Sequence, residues 1–271
     1  LVLAPTHEEL LTTMVKANVN SYRDLPMIIY QIQTKFRDEP RPRGGLIRVR
    51  EFDMKDAYSF DADVSGLDHS YQDMVQAYEN IYRRCGLTTI IAEADSGTIG
   101  GKDSQEFIAL ADAGEDTVLI CESCDYAANV ERAAFSRPTQ AQEDQKLLRE
   151  VYTPGIKTIG ELTKFLNVPA KKTLKAIFYM KNDQLVFVVI RGDLNVNEVK
   201  LRNILDGAEI RLATNEEVNK GGMVPGSASP VGVNGVQIIA DKSVDLGANF
   251  VVGSNKADYH LLNVNYPRDF C

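Results

Sequence analysis

The sequence predicts a mixed α/β (α+β) fold in two domains, and three patterns predict it. Residues 27–60 read as two strands joined by an arginine-rich loop, which is typical of an antiparallel hairpin. Thr158 and Glu161 have capping-box spacing ahead of a helical apolar stripe. From residue 151 onward, strand and helix patterns interleave with turns about every 10 residues, as expected for a compact mixed α/β module.

The composition is that of an ordinary globular protein. At 271 residues, with 44% hydrophobic and 25% charged residues, the chain is long enough for a sizeable core. The net charge of -8 argues against a protein that binds nucleic acid over its whole surface. Any contact with RNA should therefore be confined to a local basic patch. The sequence has no apolar run of about 20 residues and no signal segment. We therefore expect a cytoplasmic protein without membrane or DNA partners.

The four cysteines do not have the pattern of a secreted disulfide framework. Cys121 and Cys124 form a lone CxxC with no second pair and no nearby histidine. A structural zinc site needs four ligands. We therefore expect reduced thiols and no bound metal.

The N-terminal residues predict a strand followed by a helix. Residues 1–3 have the pattern of a strand from the first residue onward, so we expect the chain to be a piece of a longer protein. Thr6 and Glu9 have capping-box spacing, and an apolar helical stripe begins at Leu10.

The arginine-rich hairpin is the first candidate binding site. Arg37 and Glu39 are spaced by two, and so are Arg48, Arg50 and Phe52, so each set should share one face of its strand. Guanidinium groups match phosphate oxygens in a planar fork, and an aromatic ring can stack on a base. The patch therefore suits a nucleoside triphosphate or an acyl-adenylate.

The remaining elements follow from local spacing and turn residues. In the first half we expect a helix over 71–82 ended by Gly86, a strand over 88–94, a hairpin around 113–116 and a linker over 131–150. In the second half we expect helices over 158–166, 195–205 and 214–218, and strands over 174–180, 185–191, 209–213, 236–244, 250–254 and 260–264.

The sequence motifs of the hairpin are specific enough to indicate a family. The segments FRDE, RVREF and MKDAYSF resemble motif 2 of the class II aminoacyl-tRNA synthetases. Together with LAPTHEE and DYAANVERA they resemble the bacterial-type prolyl-tRNA synthetases. The resemblance implies that Arg37 binds the α-phosphate, Glu39 the adenine amino group and Phe52 the adenine face. Arg48 or Arg50 would reach the distal phosphates.

The same resemblance implies a proline pocket. Thr6 and Glu8 would help bind proline, the carboxylate attracting its ammonium group, although both also suit a plain helix start. The other residues implied are Arg37, Gly100, Glu106 and Phe107.

The second half is similar to the YbaK-like insertion domain of these synthetases, a family of aminoacyl-tRNA deacylases. The resemblance rests on Lys175 in TLKA, on GSASP at Gly226–Pro230, on Asp241 after the VQIIA strand and on His260. It implies that these residues form the hydrolytic site.

The expected chemistry is hydrolysis of an ester between an amino acid and the tRNA 3′ ribose. The lysine would anchor a phosphate, and backbone N–H groups of the glycine-containing loop would hold the carbonyl oxygen. The small residues of that loop would admit alanine and exclude proline. No Ser-His-Asp triad or metal cluster is apparent, so we expect a positioned water and no cofactor for this step.

We therefore interpret residues 1–130 as a partial antiparallel synthetase core, 131–150 as a linker and 151–271 as an editing domain. The full enzyme would use ATP with Mg²⁺, proline and tRNA(Pro), would clear alanyl-tRNA(Pro), and would be a homodimer. We expect the chain alone to make little prolyl-adenylate, because the family's second ATP-binding arginine is not apparent in it.

Two other interpretations stay open. The chain is a pure deacylase whose first half only presents tRNA, in which case changes at Thr6 and Arg37 have no effect. Alternatively it is a non-catalytic synthetase paralogue, which binds an amino acid or adenylate and turns nothing over.

Overall fold

A computed structural model describes residues 3–97, 101, 103–136 and 143–271. The chain divides into two compact units. The N-terminal unit comprises Leu1–Ile90 and Phe107–Ala111, and the C-terminal unit comprises Ile91–Glu106 and Asp112–Cys271. The predicted boundaries at residues 130 and 150 stay a prediction. None of the described helices is both long and apolar enough to cross a bilayer.

The N-terminal unit is built on one long antiparallel hairpin. Strand β1 (Met27–Phe36) pairs with β2 (Glu51–Phe60) along all ten residues, from Met27 opposite Phe60 to Phe36 opposite Glu51. β-Branched and aromatic residues along β1 favour this extended pairing. The hairpin confirms the prediction of two strands, and it fixes the ends of the loop over residues 37–50.

Helix α1 (Glu8–Asn18) begins at a different residue from the one predicted. Its N-cap is His7, which makes no side-chain capping hydrogen bond. The hydroxyl of Thr6 instead donates to the carboxylate of Glu8, so it does not cap the helix. The predicted capping box at Thr6 and Glu9 is therefore wrong.

Helix α2 (Val64–Arg84) is longer than predicted. It begins after Asp63, whose carboxylate accepts the N–H of Gly66, and it ends at Cys85. Gly86 follows with φ +74, a conformation that favours glycine and confirms the predicted helix end.

A four-stranded sheet follows, with the order β4-β3-β6-β5. Its strands are β3 (Ile90–Glu93), β4 (Gln105–Ile108), β5 (Val118–Ile120) and β6 (Ala127–Asn129). Because β4 and β5 lie at opposite edges, the predicted hairpin around 113–116 does not form. β5 pairs with β6 instead, antiparallel.

The predicted hairpin of the C-terminal unit is confirmed. Strand β8 (Leu174–Lys181) pairs with β9 (Gln184–Arg191) across a turn at Asn182 and Asp183. β10 (Ile210–Leu212) and β11 (Gln237–Ala240) complete a sheet in the order β10-β8-β9-β11. The strand predicted over 236–244 stops at Ala240, because Asp241 caps a short helix.

Among its described residues, this unit also has a three-stranded sheet, four α-helices and a 3₁₀-helix (Ala170–Lys172). The sheet has the order β12-β13-β7, and its strands are β7 (Arg149–Tyr152), β12 (Phe250–Gly253) and β13 (Tyr259–Val264). The helices are α3 (Ile159–Leu166), α4 (Glu198–Ile204), α5 (Asn215–Lys220) and α6 (Lys242–Asp245). The capping box of Thr158 and Glu161 forms as predicted.

The sheet that contains β9 is buried on both faces. Phe187 and Val189 belong to a core with residues of β12 and β13, while Val186 and Val188 pack with Leu201 of α4. Alternate residues of a strand point to opposite faces, so β9 fills both cores. The predicted mixed α/β fold is confirmed, and its core holds β8, β12 and β13 in fixed positions.

Candidate functional site

A cavity of about 260 Å³ lies in the C-terminal unit. Three of the predicted hydrolytic residues line it: Lys175 of β8, Gly226 of the loop before β11, and His260 of β13. The other lining residues are Lys157, Thr158, Ile159, Leu162, Leu174, Ala176, Ile177, Ala228 and Gly253. The walls combine small and apolar residues with four polar side chains, those of Lys157, Thr158, Lys175 and His260.

The ammonium group of Lys175 is held in place by the loop that follows β9. Its Nζ donates to the carbonyl of Leu194 at 2.7 Å and to Oδ1 of Asn195 at 3.2 Å. A lysine ammonium carries three N–H donors. Two are used within the protein, so one donor remains for an anionic oxygen in the cavity.

His260 is buried and is fixed through one ring nitrogen. Its Nδ1 lies 2.6 Å from the hydroxyl of Thr153, which is itself fully buried. Burial lowers the pKa of His260. The imidazole is therefore neutral near pH 7, and Nε2 is left to interact with a ligand or a water.

The loop at Gly226–Pro230 has backbone donors to offer. Gly226 has φ +81, a left-handed conformation that favours glycine. The N–H groups of Ser227 and Ser229 are bonded to Val224 and Asn255. Those of Gly226 and Ala228, which line the cavity, donate to no other residue in the described part of the chain.

Two predicted hydrolytic residues do not line the cavity. The carboxylate of Asp241 accepts the N–H of Ser243 and caps α6, and its own N–H donates to Val189 of β9. Pro230 is buried at the end of the loop, and its carbonyl accepts the N–H of Val233. Both residues support the local fold at the positions where the structure places them.

Gly253 is a lining residue that the sequence did not single out. A Cβ atom there would lie 2.2 Å from the carbonyl oxygen of Ser227 and 2.4 Å from that of Ala228. These are backbone atoms of the glycine-containing loop, so they cannot rotate out of the way. The loop therefore lies against β12 only because residue 253 lacks a side chain.

We expect Gly253→Ala to displace the loop and to destabilise the C-terminal unit by at least about 1–3 kcal/mol, the usual cost of overpacking. Denaturant unfolding measures this loss. Gly160→Ala is the matched control, since a Cβ at Gly160 meets nothing within 4 Å and alanine favours helix α3. Equal stability of the two variants would contradict the proposed role of Gly253.

The arginine-rich residues of the N-terminal unit gather in a loop. Arg37 and Glu39 follow the end of β1, and Arg48 and Arg50 precede β2, so the prediction that they share strand faces is wrong. The chain leaves the ladder after Phe36, where the N–H of Arg37 still donates to the carbonyl of Arg50.

Glu39 is the centre of this loop. Its carboxylate accepts Nε of Arg48 at 3.2 Å, and its carbonyl accepts Nε of Arg50 at 2.9 Å. The guanidinium of Arg37 lies over the ring of Phe52, 5.3 Å from its centroid. The predicted nucleotide-binding residues Arg37, Glu39, Arg48 and Arg50 thus lie in one loop, and Phe52 lies next to it on β2.

The Thr6–Glu8 segment packs beside this loop. Nε of Arg37 donates to the carbonyl of Pro5 at 3.2 Å, which places the predicted proline-binding residues Thr6 and Glu8 next to Arg37. Glu106 and Gly100 were also predicted for that pocket. Glu106 is exposed on β4, and Gly100 lies outside the described residues.

Phe107 has a packing partner within the N-terminal unit. Its ring lies 5.4 Å from that of Tyr78 and 5.6 Å from that of Tyr82, both on α2. These aromatic residues of α2 pack on Phe107, and Tyr78 itself stays 39% exposed.

A buried polar network under the Thr6–Glu8 segment was not predicted from the sequence. Lys35 is fully buried and its Nζ donates to Asp56 at 2.8 Å. The hydroxyl of Tyr58 donates to the same carboxylate and accepts the backbone N–H of His7. The spacing of Asp56 and Tyr58 by two on β2, which puts both on one face, was the available signal.

No group of three or more His, Cys, Asp or Glu that could hold a metal ion occurs in the described ranges. Two lysines, Lys157 and Lys175, line the cavity of the C-terminal unit and offer positive charge there.

Two family models match the chain. The tRNA synthetase class II core domain (G, H, P, S and T) matches residues 1–193, and the aminoacyl-tRNA editing domain matches residues 153–269. The second match contains Lys175, Gly226 and His260, which line the cavity.

Curated relatives named proline–tRNA ligase are similar over nearly the whole chain. The protein of Dehalococcoides mccartyi is 57% identical over 270 residues, which cover 100% of this chain and 48% of the relative. Those of Caldicellulosiruptor saccharolyticus and Moorella thermoacetica are 51% and 50% identical, cover 97% and 99% of this chain, and are themselves covered to 46% and 47%. The chain thus spans about half the length of these relatives.

A solved structure of a candidate trans-editing enzyme for prolyl tRNA synthetase covers 44% of this chain and 76% of its own, with 19% identity and a TM-score of 0.39. The family assignment rests on the two sequence models, which confirm both resemblances drawn from the motifs. This chain belongs to the class II aminoacyl-tRNA synthetase family, and its second half carries an aminoacyl-tRNA editing domain.

Proposed function

We propose that this chain is part of a prolyl-tRNA synthetase, and that the cavity of its C-terminal unit hydrolyses alanyl-tRNA(Pro). The observation that carries the proposal is the meeting of Lys175, Gly226 and His260 around one cavity of about 260 Å³. The names and high identity of the curated relatives support the choice of proline and tRNA(Pro).

The remaining donor of Lys175 binds a phosphate oxygen of the tRNA 3′ end. Its contacts to Leu194 and Asn195 hold the ammonium in one position, so little rotamer freedom is lost when the phosphate arrives. The ester carbonyl then lies toward the N–H groups of Gly226 and Ala228. These donors stabilise the negative charge that develops on the carbonyl oxygen when water attacks.

His260 orients the attacking water or the ribose hydroxyl through its free ring nitrogen. A neutral imidazole bonded to Thr153 serves this purpose without placing a buried positive charge beside the ester. The cavity is smaller than the roughly 300–1,000 Å³ taken by drug-sized ligands, which suits a small amino acid. Alanine enters and the proline ring is excluded, so correctly charged tRNA escapes hydrolysis.

The N-terminal unit contributes to the synthetic reaction. Arg37, with Arg48 or Arg50, binds the phosphates of ATP, and Glu39 and Phe52 bind adenine. Thr6 and Glu8 receive the ammonium of proline beside Arg37, and Phe107 of the same unit belongs to that pocket. ATP arrives with Mg²⁺, which is held chiefly by phosphate oxygens, and we assign the ion to no residue of this chain. The full-length enzyme acts as a homodimer.

The test compares release of amino acid from alanyl-tRNA(Pro) and prolyl-tRNA(Pro) by this chain. We expect hydrolysis of the alanyl ester at least about tenfold faster than that of the prolyl ester, since exclusion of a larger side chain from a tight pocket is worth about 1–3 kcal/mol or more. Spontaneous hydrolysis without protein is the baseline. Equal rates for the two esters, or no rate above the baseline, would refute the proposal.

A further inference from the structure

The turn between β5 and β6 brings two cysteines together. The N–H of Cys121 donates to the carbonyl of Tyr126 at 2.9 Å, which closes a tight loop over residues 121–126. Cys124 lies within that loop and is exposed, while Cys121 is half-buried at its base. Neither thiol has a place in the proposed synthetic or hydrolytic chemistry.

Hydrogen bonds converge on the sulfur of Cys121. Its Sγ accepts the backbone N–H of Ser123 at 3.4 Å, and both the N–H and the thiol of Cys124 also donate to it. These donors favour the thiolate over the thiol, and they lower the pKa of Cys121. The contact between the two thiols also places the second sulfur within reach of the first.

The surroundings favour redox chemistry over metal binding. A stable tetrahedral zinc site needs four ligands, and the described ranges gather no three metal-ligating side chains anywhere. A thiolate beside an accessible second thiol is instead the arrangement that supports thiol–disulfide exchange.

We propose that Cys121 and Cys124 form a reversible disulfide by exchange with a low-molecular-weight disulfide such as oxidised glutathione. The thiolate of Cys121 attacks one sulfur of the reagent, forms a mixed disulfide and releases one thiolate. Cys124 then loses its proton to solvent and attacks Sγ of Cys121. The internal disulfide forms and the second reagent thiol leaves, so two protein thiols are oxidised and one reagent disulfide is reduced.

The test is mass spectrometry of the chain equilibrated with reduced and oxidised glutathione. Trypsin separates the cysteines, since residues 103–132 carry both Cys121 and Cys124, while Cys85 and Cys271 fall in other peptides. We expect the 103–132 peptide to lose about 2 Da and to lose both free thiols. Added dithiothreitol should restore them.

Two variants separate the steps. Cys124→Ser should retain a glutathione adduct on Cys121, because the resolving thiol is gone, and Cys121→Ser should prevent the internal disulfide. Cys124 is exposed and Cys121 is only half-buried, so either serine variant is expected to fold. The proposal is overturned if the 103–132 peptide stays reduced where Cys85 is oxidised, or if Cys124→Ser forms no more adduct than Cys85.

Discussion

Replacing Lys175 with alanine is expected to slow hydrolysis of alanyl-tRNA(Pro) by about tenfold to a hundredfold. The ammonium makes two hydrogen bonds inside the protein and keeps one donor for the substrate. A hydrogen bond to a charged group contributes about 1.5–3 kcal/mol, which corresponds to that range of rates. Release of alanine under single-turnover conditions measures the effect.

The control must lose the same positive charge as Lys175→Ala. Lys171→Ala removes an exposed lysine near the start of β8, in the same segment but away from the cavity lining. Lys175→Met keeps most of the apolar stem and separates packing from charge. Wild type and Lys171→Ala should hydrolyse alanyl-tRNA(Pro) at similar rates. Lys175→Met and Lys175→Ala should both be far slower. Full activity in Lys175→Met would contradict a role for the ammonium.

Local sequence signals predicted the elements whose stabilising contacts lie within a few residues. The capping box of Thr158 and Glu161 and the turn at Asn182 and Asp183 are of this kind, and both occur where expected. Local sequence patterns gave wrong predictions where the pairing of a strand depends on another strand that is distant in the sequence. β5 pairs with β6 rather than β4, and no spacing rule within 105–120 distinguishes these pairings.

The same distinction applies to the arginine-rich loop. Spacing by two implied that Arg48 and Arg50 continue strand β2, yet both turn back to contact Glu39. A hydrogen bond between loop residues on either side of the turn outweighs the strand preference of a few exposed side chains. The gathering of these groups was therefore predictable from their chemistry, whereas their backbone conformation was not.

Resemblance to a family predicted some of the residues that line the cavity and missed others. Lys175, Gly226 and His260 are far apart in sequence, and only the order of the motifs predicted that they meet. Gly253 carries no motif, and its importance depends on the Ser227 carbonyl that lies against it. Such a contact is fixed by the packing of β12 on the loop, so only the three-dimensional structure reveals it.

Replacing Lys35 with methionine is expected to destabilise the β1–β2 hairpin by about 3–5 kcal/mol, the usual cost of leaving a buried charge without its partner. The side chains of Lys35 and Asp56 are 0% and 12% exposed, with 2.8 Å between Nζ and Oδ1. The network also reaches the His7 amide through Tyr58. The variant should therefore loosen the Thr6–Glu8 segment as well. Amide hydrogen exchange of peptides from β1, β2 and residues 3–10 measures both effects.

Two further variants identify the cause. Lys55→Met removes an exposed lysine from the same hairpin, so it should have little effect on the rate of amide hydrogen exchange. Lys35→Met combined with Asp56→Asn removes both charges, so it should recover part of the lost stability. If the amide hydrogens of the hairpin exchange at the same rate in Lys35→Met and in Lys55→Met, the buried pair does not stabilise the hairpin.

The pH dependence gives an independent check on the same pair. Burial alone would raise the pKa of Asp56, but hydrogen bonds from Lys35, Tyr58 and Gln31 outweigh it and lower the pKa from 3.8 to about 2. Because the folded-state pKa is depressed, the stabilisation is present above pH 3.8 and is lost as the pH falls toward 2. The stability difference between wild type and Lys35→Met should therefore be largest above about pH 4 and should shrink on acidification. A difference that stays constant from pH 6 to about pH 2 would mean that packing of the lysine stem, rather than its charge, holds the hairpin.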